Sequence, residues 1–174
     1  MNIDGNILLF IQDVIRHPAL TPFFVGITKL GNAGMIWIVF SILLLLQKKT
    51  RKIGMMGICA LLLSLLVNNL LLKNLVGRVR PYEVIPGLVP LIPRPKEYSF
   101  PSGHSASSFA AASVFYRTMP KKFGIPIVIL AFLISVSRLY VGVHYPSDVL
   151  VGIVSGIELS YVAEAIVRRV TSEA

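Results

Sequence analysis

Long apolar runs, separated by short polar breaks, set the pattern of this chain. Residues 53–72 carry no charge over 20 positions, about 30 Å as a helix, which is the thickness of one hydrocarbon core. Residues 123–137, continuing to about 143 with Arg138 as the single charge, form a second span. A third covers 146–167, with Pro146 in the first turn where its missing N–H costs little. Residues 102–118 make a fourth, rich in small side chains such as Ser105, Ala106, Ser108 and Ala110, as expected of a helix packed inside a bundle. Residues 34–47 give a fifth, shorter run unless it begins near Gly31. The first 30 residues are divided: 7–15 are amphipathic, His17-Pro18 interrupts, and 20–30 alone are too short to cross. This segment is either a broken sixth span or an interfacial helix followed by a partial one. Six crossings are expected, because the first apolar stretch has to connect to Gly34. The predicted fold class is all-α: an integral membrane bundle of about six transmembrane helices, one domain over residues 1–174.

Composition agrees. The chain is 55% hydrophobic and 14% charged, against about a quarter charged in soluble domains. The start, Met1-Asn2-Ile3-Asp4-Gly5, has neither a basic stretch nor a small-residue cleavage site, so no cleaved signal peptide is expected. Cys59 is the single cysteine and cannot form an internal disulfide. A net charge of +9 would suggest nucleic acid in a soluble protein. Here the cations sit at the ends of apolar runs, where topology and anionic head groups account for them, and no nucleic-acid partner is expected.

Nine of the 17 basic residues fall in three short segments: Lys48, Lys49, Arg51 and Lys52; Arg117, Lys121 and Lys122; Arg168 and Arg169. Glu173 is the one clearly loop-borne acid beside them. The positive-inside rule makes that side cytoplasmic. The one long connection, residues 76–100, lies on the other side; six of the eleven prolines fall within 81–101, so it is expected to be an ordered, extended extracytoplasmic cover.

Three polar groups interrupt the apolar ends on that opposite side. Lys73 ends a helix and Arg80 follows seven residues later, immediately before Pro81. They are either snorkelling anchors or two cations converging on phosphate oxygens. Arg78 is equally basic, and spacing alone does not choose between it and Arg80. Pro101-Ser102-Gly103-His104 opens a helix, where free N–H groups attract an anion and glycine permits close approach. Its bland reading is an N-cap serine beside a surface histidine, its functional one a proton donor to a leaving oxygen. Arg138, His144 and Asp148 form the third group. A carboxylate four residues after an imidazole can hold one ring nitrogen and free the other to attack phosphorus. Taken singly, Asp148 is equally a helix N-terminal charge. Together, all three groups map to one membrane face.

Three features stand apart. Gly152-x3-Gly156 is either a dimer face or a site of close packing within the bundle, the second being expected. Glu158 lies near mid-membrane, where a carboxylate must be partnered or protonated. Asn68 and Asn69, a turn before Lys73, either partner Glu158 or shape the pocket.

The motifs K-x6-RP, PSGH and SR-x5-H-x3-D resemble those of the type 2 phosphatidic acid phosphatase superfamily, matched here by Lys73, Arg80 and Pro81, by Pro101 to His104, and by Ser137, Arg138, His144 and Asp148. The resemblance implies a six-helix membrane phosphatase needing no metal or other cofactor. In it His144 attacks, Asp148 orients it, and His104 protonates the leaving group. Lys73, Arg80, Arg138, Ser102 and the Gly103 N–H bind phosphate oxygens. The implied substrate is a lipid phosphate, either an isoprenyl diphosphate of undecaprenyl type or phosphatidic acid or phosphatidylglycerophosphate, with membrane lipids as partners and the site on the extracytoplasmic face of the cell membrane. Phosphotransfer to another acceptor and a non-catalytic lipid-binding or transport role are the rivals; oligomeric state is left open.

Overall fold

A computed structural model describes residues 3–172. Met1 and Asn2, which open the stretch expected to lack a signal peptide, and Glu173 lie outside the described residues. Every regular element within them is helical: α1 (Ile3–Phe10), α2 (Thr21–Leu30), α3 (Met35–Leu46), α4 (Arg51–Ser64), α5 (Lys73–Val76), α6 (Pro81–Val84), α7 (Gly103–Thr118), α8 (Lys121–Tyr140) and α9 (Pro146–Ser172). Two π-helical stretches extend them: Ile11–Ile15 continues α1, and Leu65–Leu72 joins α4 to α5.

Three of these helical runs are long and apolar enough to cross a membrane: the one that begins with α4, then α8 and α9. The segments Thr21–Leu30 and Asn32–Leu46, bent by 46°, make a fourth if counted as one span. The bend has a local cause. A side chain at Gly31 would meet Ile134 at 2.6 Å and His104 at 2.8 Å, and Ala33 and Gly34 both adopt left-handed backbone angles (φ 51° and 67°).

Helix α7 is the most enclosed. Ser105, Ala106 and Ser108 to Ala112 are all buried, and α7 packs on α4, α8 and α9. Small side chains allow that approach, and the two α9 glycines complete it. A Cβ at Gly152 would lie 2.7 Å from the Ser102 carbonyl, and one at Gly156 would lie 2.5 Å from that of Ala106. These glycines therefore serve packing within the bundle, as expected, through a backbone contact that no larger residue allows. Trp37 Nε1 donates to Ser108 Oγ at 2.9 Å and fixes α3 to the same core.

With three runs long and apolar enough to cross among the described residues, or four with the bent pair, the expected six crossings are not confirmed. Asp4 meets Arg78 and Ser147, Gln12 bonds Gly87 and Val89, and Arg16 bonds the carbonyls of Val89 and Tyr140. All these partners lie at the end of the bundle where α8 finishes and α9 starts. Residues 3–17 thus lie along that end. The reason is polar: Asp4, Gln12 and Arg16 bond loop backbone and charged groups that the apolar pattern could not reveal. The cationic segments 48–52, 117–122 and 168–169 occupy the other end, where Arg117 pairs with Glu164 at 3.0 Å.

Candidate active site

Lys73 and Arg80 reach one site by a chain reversal, not by stacking on a helix. Helix α5 stops at Val76, Gly77 takes a left-handed conformation (φ 60°) with its N–H on the Lys73 carbonyl, and Arg80 is extended before Pro81. Arg80 is then 4% exposed, its Nε donating to the Glu97 carbonyl and its Nη1 to that of Val143, each at 2.8 Å. Nη1 also lies 2.9 Å from Nε2 of His144. A guanidinium is always a donor, so Nε2 must accept, which puts the imidazole proton on Nδ1.

That proton faces Asp148. His144 Nδ1 lies 3.4 Å from Asp148 Oδ2, a close approach that lacks hydrogen-bond alignment. Catalytic contacts of this type tighten when substrate arrives. Burial, reinforced by the Arg80 and Arg138 charges and only partly offset by Asp148, lowers the His144 pKa to about 3. The ring is therefore neutral at physiological pH, its Nε2 lone pair accepting from Arg80.

Asp148 is fully buried, and its carboxylate is held on both oxygens. Oδ2 accepts the Ser99 hydroxyl at 2.5 Å and the Tyr145 N–H at 2.9 Å; Oδ1 accepts Arg78 at 2.6 Å. Its carbonyl also accepts the Ser102 N–H at 3.0 Å, tying the start of α9 to the start of α7.

Ser102 caps α7, its Oγ accepting from the Ser105 N–H at 3.4 Å and the Ser105 hydroxyl at 3.0 Å. Gly103 has no room for a side chain, since a Cβ would lie 2.8 Å from Asn69 Oδ1. That contact gives Asn69 a pocket-shaping place, while its neighbour Asn68 is buried and bonds Ser64 at 3.4 Å. His104, half-buried, bonds Asn32 Oδ1 at 3.1 Å and lies within electrostatic reach of Arg138, His144 and Lys73. Arg138 is 3% exposed, bonds Thr28 Oγ1 at 2.6 Å, and has a buried Nε with no protein partner. Lys73, 6% exposed, donates at 2.6 Å to Glu97, an exposed loop carboxylate whose pKa this contact lowers.

Every catalytic or phosphate-binding candidate read from the sequence thus lies at one end of the bundle. Several neighbours were not singled out: Ser99, Glu97, Thr28, Asn32 and Asp4 carry no motif of their own, and Arg78 could not be told from Arg80 by spacing. Between the π-helical stretch and α9 runs a mostly apolar groove of about 440 Å³, lined by Val67, Leu72, Leu150, Val154 and Glu158. Its ends at Leu72 and Leu150 adjoin Lys73 and Asp148 in the chain. Glu158 lines this lipid-facing groove with Ser155 one turn before it, and is exposed there.

The chain is similar to known proteins over most of its length. Residues 54–172 match the sequence profile of the PAP2 superfamily. An undecaprenyl-diphosphatase of Sulfolobus acidocaldarius is 33% identical over 163 residues, covering 93% of this chain and 78% of that protein. The crystal structure of Aquifex aeolicus LpxE superposes with a TM-score of 0.82 at 29% identity, covering 94% of this chain and 95% of that one. A transmembrane PAP2-type phosphatidylglycerolphosphate phosphatase from Bacillus subtilis gives 0.75 at 28% identity, covering 95% and 85%. The chain belongs to the PAP2 superfamily, as one of its membrane-embedded lipid phosphatases.

Proposed function

We propose that this protein dephosphorylates a lipid diphosphate or monophosphate on the extracytoplasmic face through a phosphohistidine at His144, with an isoprenyl diphosphate of undecaprenyl type as the favoured substrate and phosphatidic acid or phosphatidylglycerophosphate as the alternative. One observation carries the mechanism: a buried neutral imidazole with Nε2 beside Arg80 and Nδ1 toward a buried carboxylate. Nε2 attacks the terminal phosphorus, its P–O bond to the leaving lipid alkoxide or lipid phosphate breaks, and His104 gives its proton to the departing oxygen. Water then attacks the N–P bond, losing its proton to His104, and inorganic phosphate leaves as His144 is regenerated. Lys73, Arg80 and Arg138, with Ser102 and the Gly103 N–H, hold the phosphate oxygens; the unpartnered Arg138 Nε supports that role. The groove beside α9 takes the first part of the lipid tail.

The similarity to the undecaprenyl-diphosphatase over nearly the whole chain supports the isoprenyl substrate. The nine cations at the far end support an extracytoplasmic site. We count five crossings: the bent α2–α3 pair, α4 with its continuation, α7, α8 and α9, with α1 lying on the site's own face. The test is phosphate release in detergent from a panel of lipid phosphates and diphosphates, with chelator present and His144→Ala as control. Turnover by the wild type alone is expected. Strict dependence on a divalent metal, or an active His144→Ala, would overturn the proposal.

A further inference from the structure

Arg78 stands two residues from Arg80 yet turns to the opposite side of the catalytic pair. Its Nη1 donates to Asp148 Oδ1 at 2.6 Å and to Ser147 Oγ at 2.7 Å, while Nη2 donates to Asp4 Oδ2 at 2.9 Å. Asp4 in turn accepts the Ser147 N–H at 3.2 Å and its hydroxyl. The Tyr145 ring lies under the guanidinium, 3.8 Å from centroid to Cζ. The backbone is fixed as well, because the Arg78 carbonyl accepts the Ser99 N–H at 2.8 Å while the Ser99 hydroxyl bonds Asp148. Arg78 is thus clamped by two carboxylates, a hydroxyl and an aromatic face, and none of these contacts leaves it pointing at the phosphate side of His144.

A carboxylate with no solvent exposure needs a countercharge, and the direction of that countercharge sets where the carboxylate points. Arg78 holds Oδ1, so that Oδ2, which also accepts from Ser99 and the Tyr145 N–H, is the oxygen turned toward Nδ1 of His144. A lysine would have to reach both carboxylates and the hydroxyl from a single nitrogen; arginine serves them from two nitrogens of a planar fork.

We propose that Arg78 is a positioning residue for Asp148, and that Asp4 of the first helix is the brace that holds Arg78 in that role. The N-terminal helix thereby becomes part of the catalytic apparatus, through a carboxylate near the opposite end of the sequence from the one it supports. This inference rests on the reading of His144 and Asp148 as nucleophile and orienter.

The test uses the full chain on the lipid phosphate that the wild type turns over best. Arg78→Gln should lower kcat by about 10- to 100-fold with KM nearly unchanged, as when outer partners of catalytic imidazoles are removed at metal sites. Arg78→Lys should recover only part of the loss. Asp4→Asn, the milder change at a partly exposed site, should cost about three- to tenfold in kcat, the scale of one charge-assisted bond. The decisive arm is a cycle with Asp148→Asn: in that background Arg78→Gln should have almost no further effect, whereas a merely structural role would multiply. A rise in KM at unchanged kcat would make Arg78 a phosphate ligand and overturn the inference. So would full activity of both Arg78→Gln and Asp4→Asn beside a dead His144→Ala. An inactive wild type, or an active His144→Ala, would instead overturn the phosphohistidine reading, and this inference with it.

Discussion

Arg80 donates from Nη1 to Nε2 of His144 across 2.9 Å, so the proposed nucleophilic nitrogen is the atom the guanidinium already touches. A phosphate seated on Arg80 is thereby delivered to that nitrogen. Positioning and charge stabilisation come from one side chain that is itself fixed by two backbone carbonyls.

Arg80→Lys should therefore be a severe change despite keeping the charge. Lysine cannot reproduce a fork that engages Glu97, Val143 and His144 together. A loss of about 100-fold in kcat/KM is expected, the scale of two charge-assisted hydrogen bonds at about 1.5 kcal/mol each. Steady-state phosphate release measures it, and a fall below about threefold would argue against this role.

Glu97→Gln should do the reverse for substrate capture. The exposed Glu97 carboxylate sits 2.6 Å from the Lys73 ammonium and competes with substrate phosphate for it. Removing that negative charge should lower KM by about two- to fivefold and tighten inhibition by orthovanadate, as expected for a change worth up to about 1 kcal/mol near the surface. An increase in KM would mean that Glu97 orders Lys73 for binding instead of blocking it.

Acid stability should depend on His144. Its pKa is lowered from 6.5 to about 3 in the folded protein, chiefly by burial. Between those values the unfolded chain binds a proton that the native site refuses, so stability falls as pH drops through that window. His144→Gln removes the titrating group. Its melting temperature in detergent should fall less steeply from pH 6.5 to about pH 4 than that of the wild type, whatever the absolute values. Parallel curves would place the neutral-histidine assignment in error.

The apolar pattern made several elements legible, and the reason is physical. Length and charge depletion are local properties, so the runs that became α4, α8 and α9 could be read directly, as could the alignment of Lys73, His104, His144 and Asp148 at one end. The course of the N-terminus could not. Asp4 finds Ser147 across 143 positions, and no periodicity encodes such a pairing. The π-helical stretch before Lys73 was equally hidden, since an added residue per turn leaves an apolar run apolar. The Arg78–Arg80 ambiguity was real at sequence level: both are cations within three residues of Pro81, and only their contacts in the fold separate them, Arg78 on Asp148 and Arg80 on His144.

Gly156→Ala should separate packing from self-association. A methyl there meets the Ala106 carbonyl at 2.5 Å and the Ala110 nitrogen at 2.9 Å, both backbone atoms that cannot step aside. A loss of about 1–3 kcal/mol is expected, as for other overpacked sites. Gly26→Ala, with nothing within 4 Å, should be neutral or mildly stabilising. Thermal unfolding in detergent compares the two, and an unchanged Gly156→Ala protein that shifts its oligomeric state would revive the dimer-face reading.

Cysteine labelling on intact cells tests the topology, with Cys59 first replaced by alanine. The proline-rich connection and the first helix are bonded to each other: Gln12 accepts the Val89 N–H at 2.8 Å, and Arg16 donates to the Val89 carbonyl at 2.6 Å. Whatever side holds Val89 must hold residues 3–16, because no membrane can pass between groups in direct contact. Cysteines at Ile3 (78% exposed) and Val89 (60% exposed) should both react with an impermeant thiol reagent from outside, while one at Ser172 should react only after permeabilisation. The far end carries Lys48 to Lys52, Arg117 to Lys122 and Arg168-Arg169, the cations from which the positive-inside rule predicts a cytoplasmic end. Labelling of Val89 without Ile3 would restore six crossings and detach Asp4 from Arg78. Labelling of Ser172 alone would turn the whole bundle over, placing His144 in the cytoplasm and excluding substrates presented on the outer leaflet.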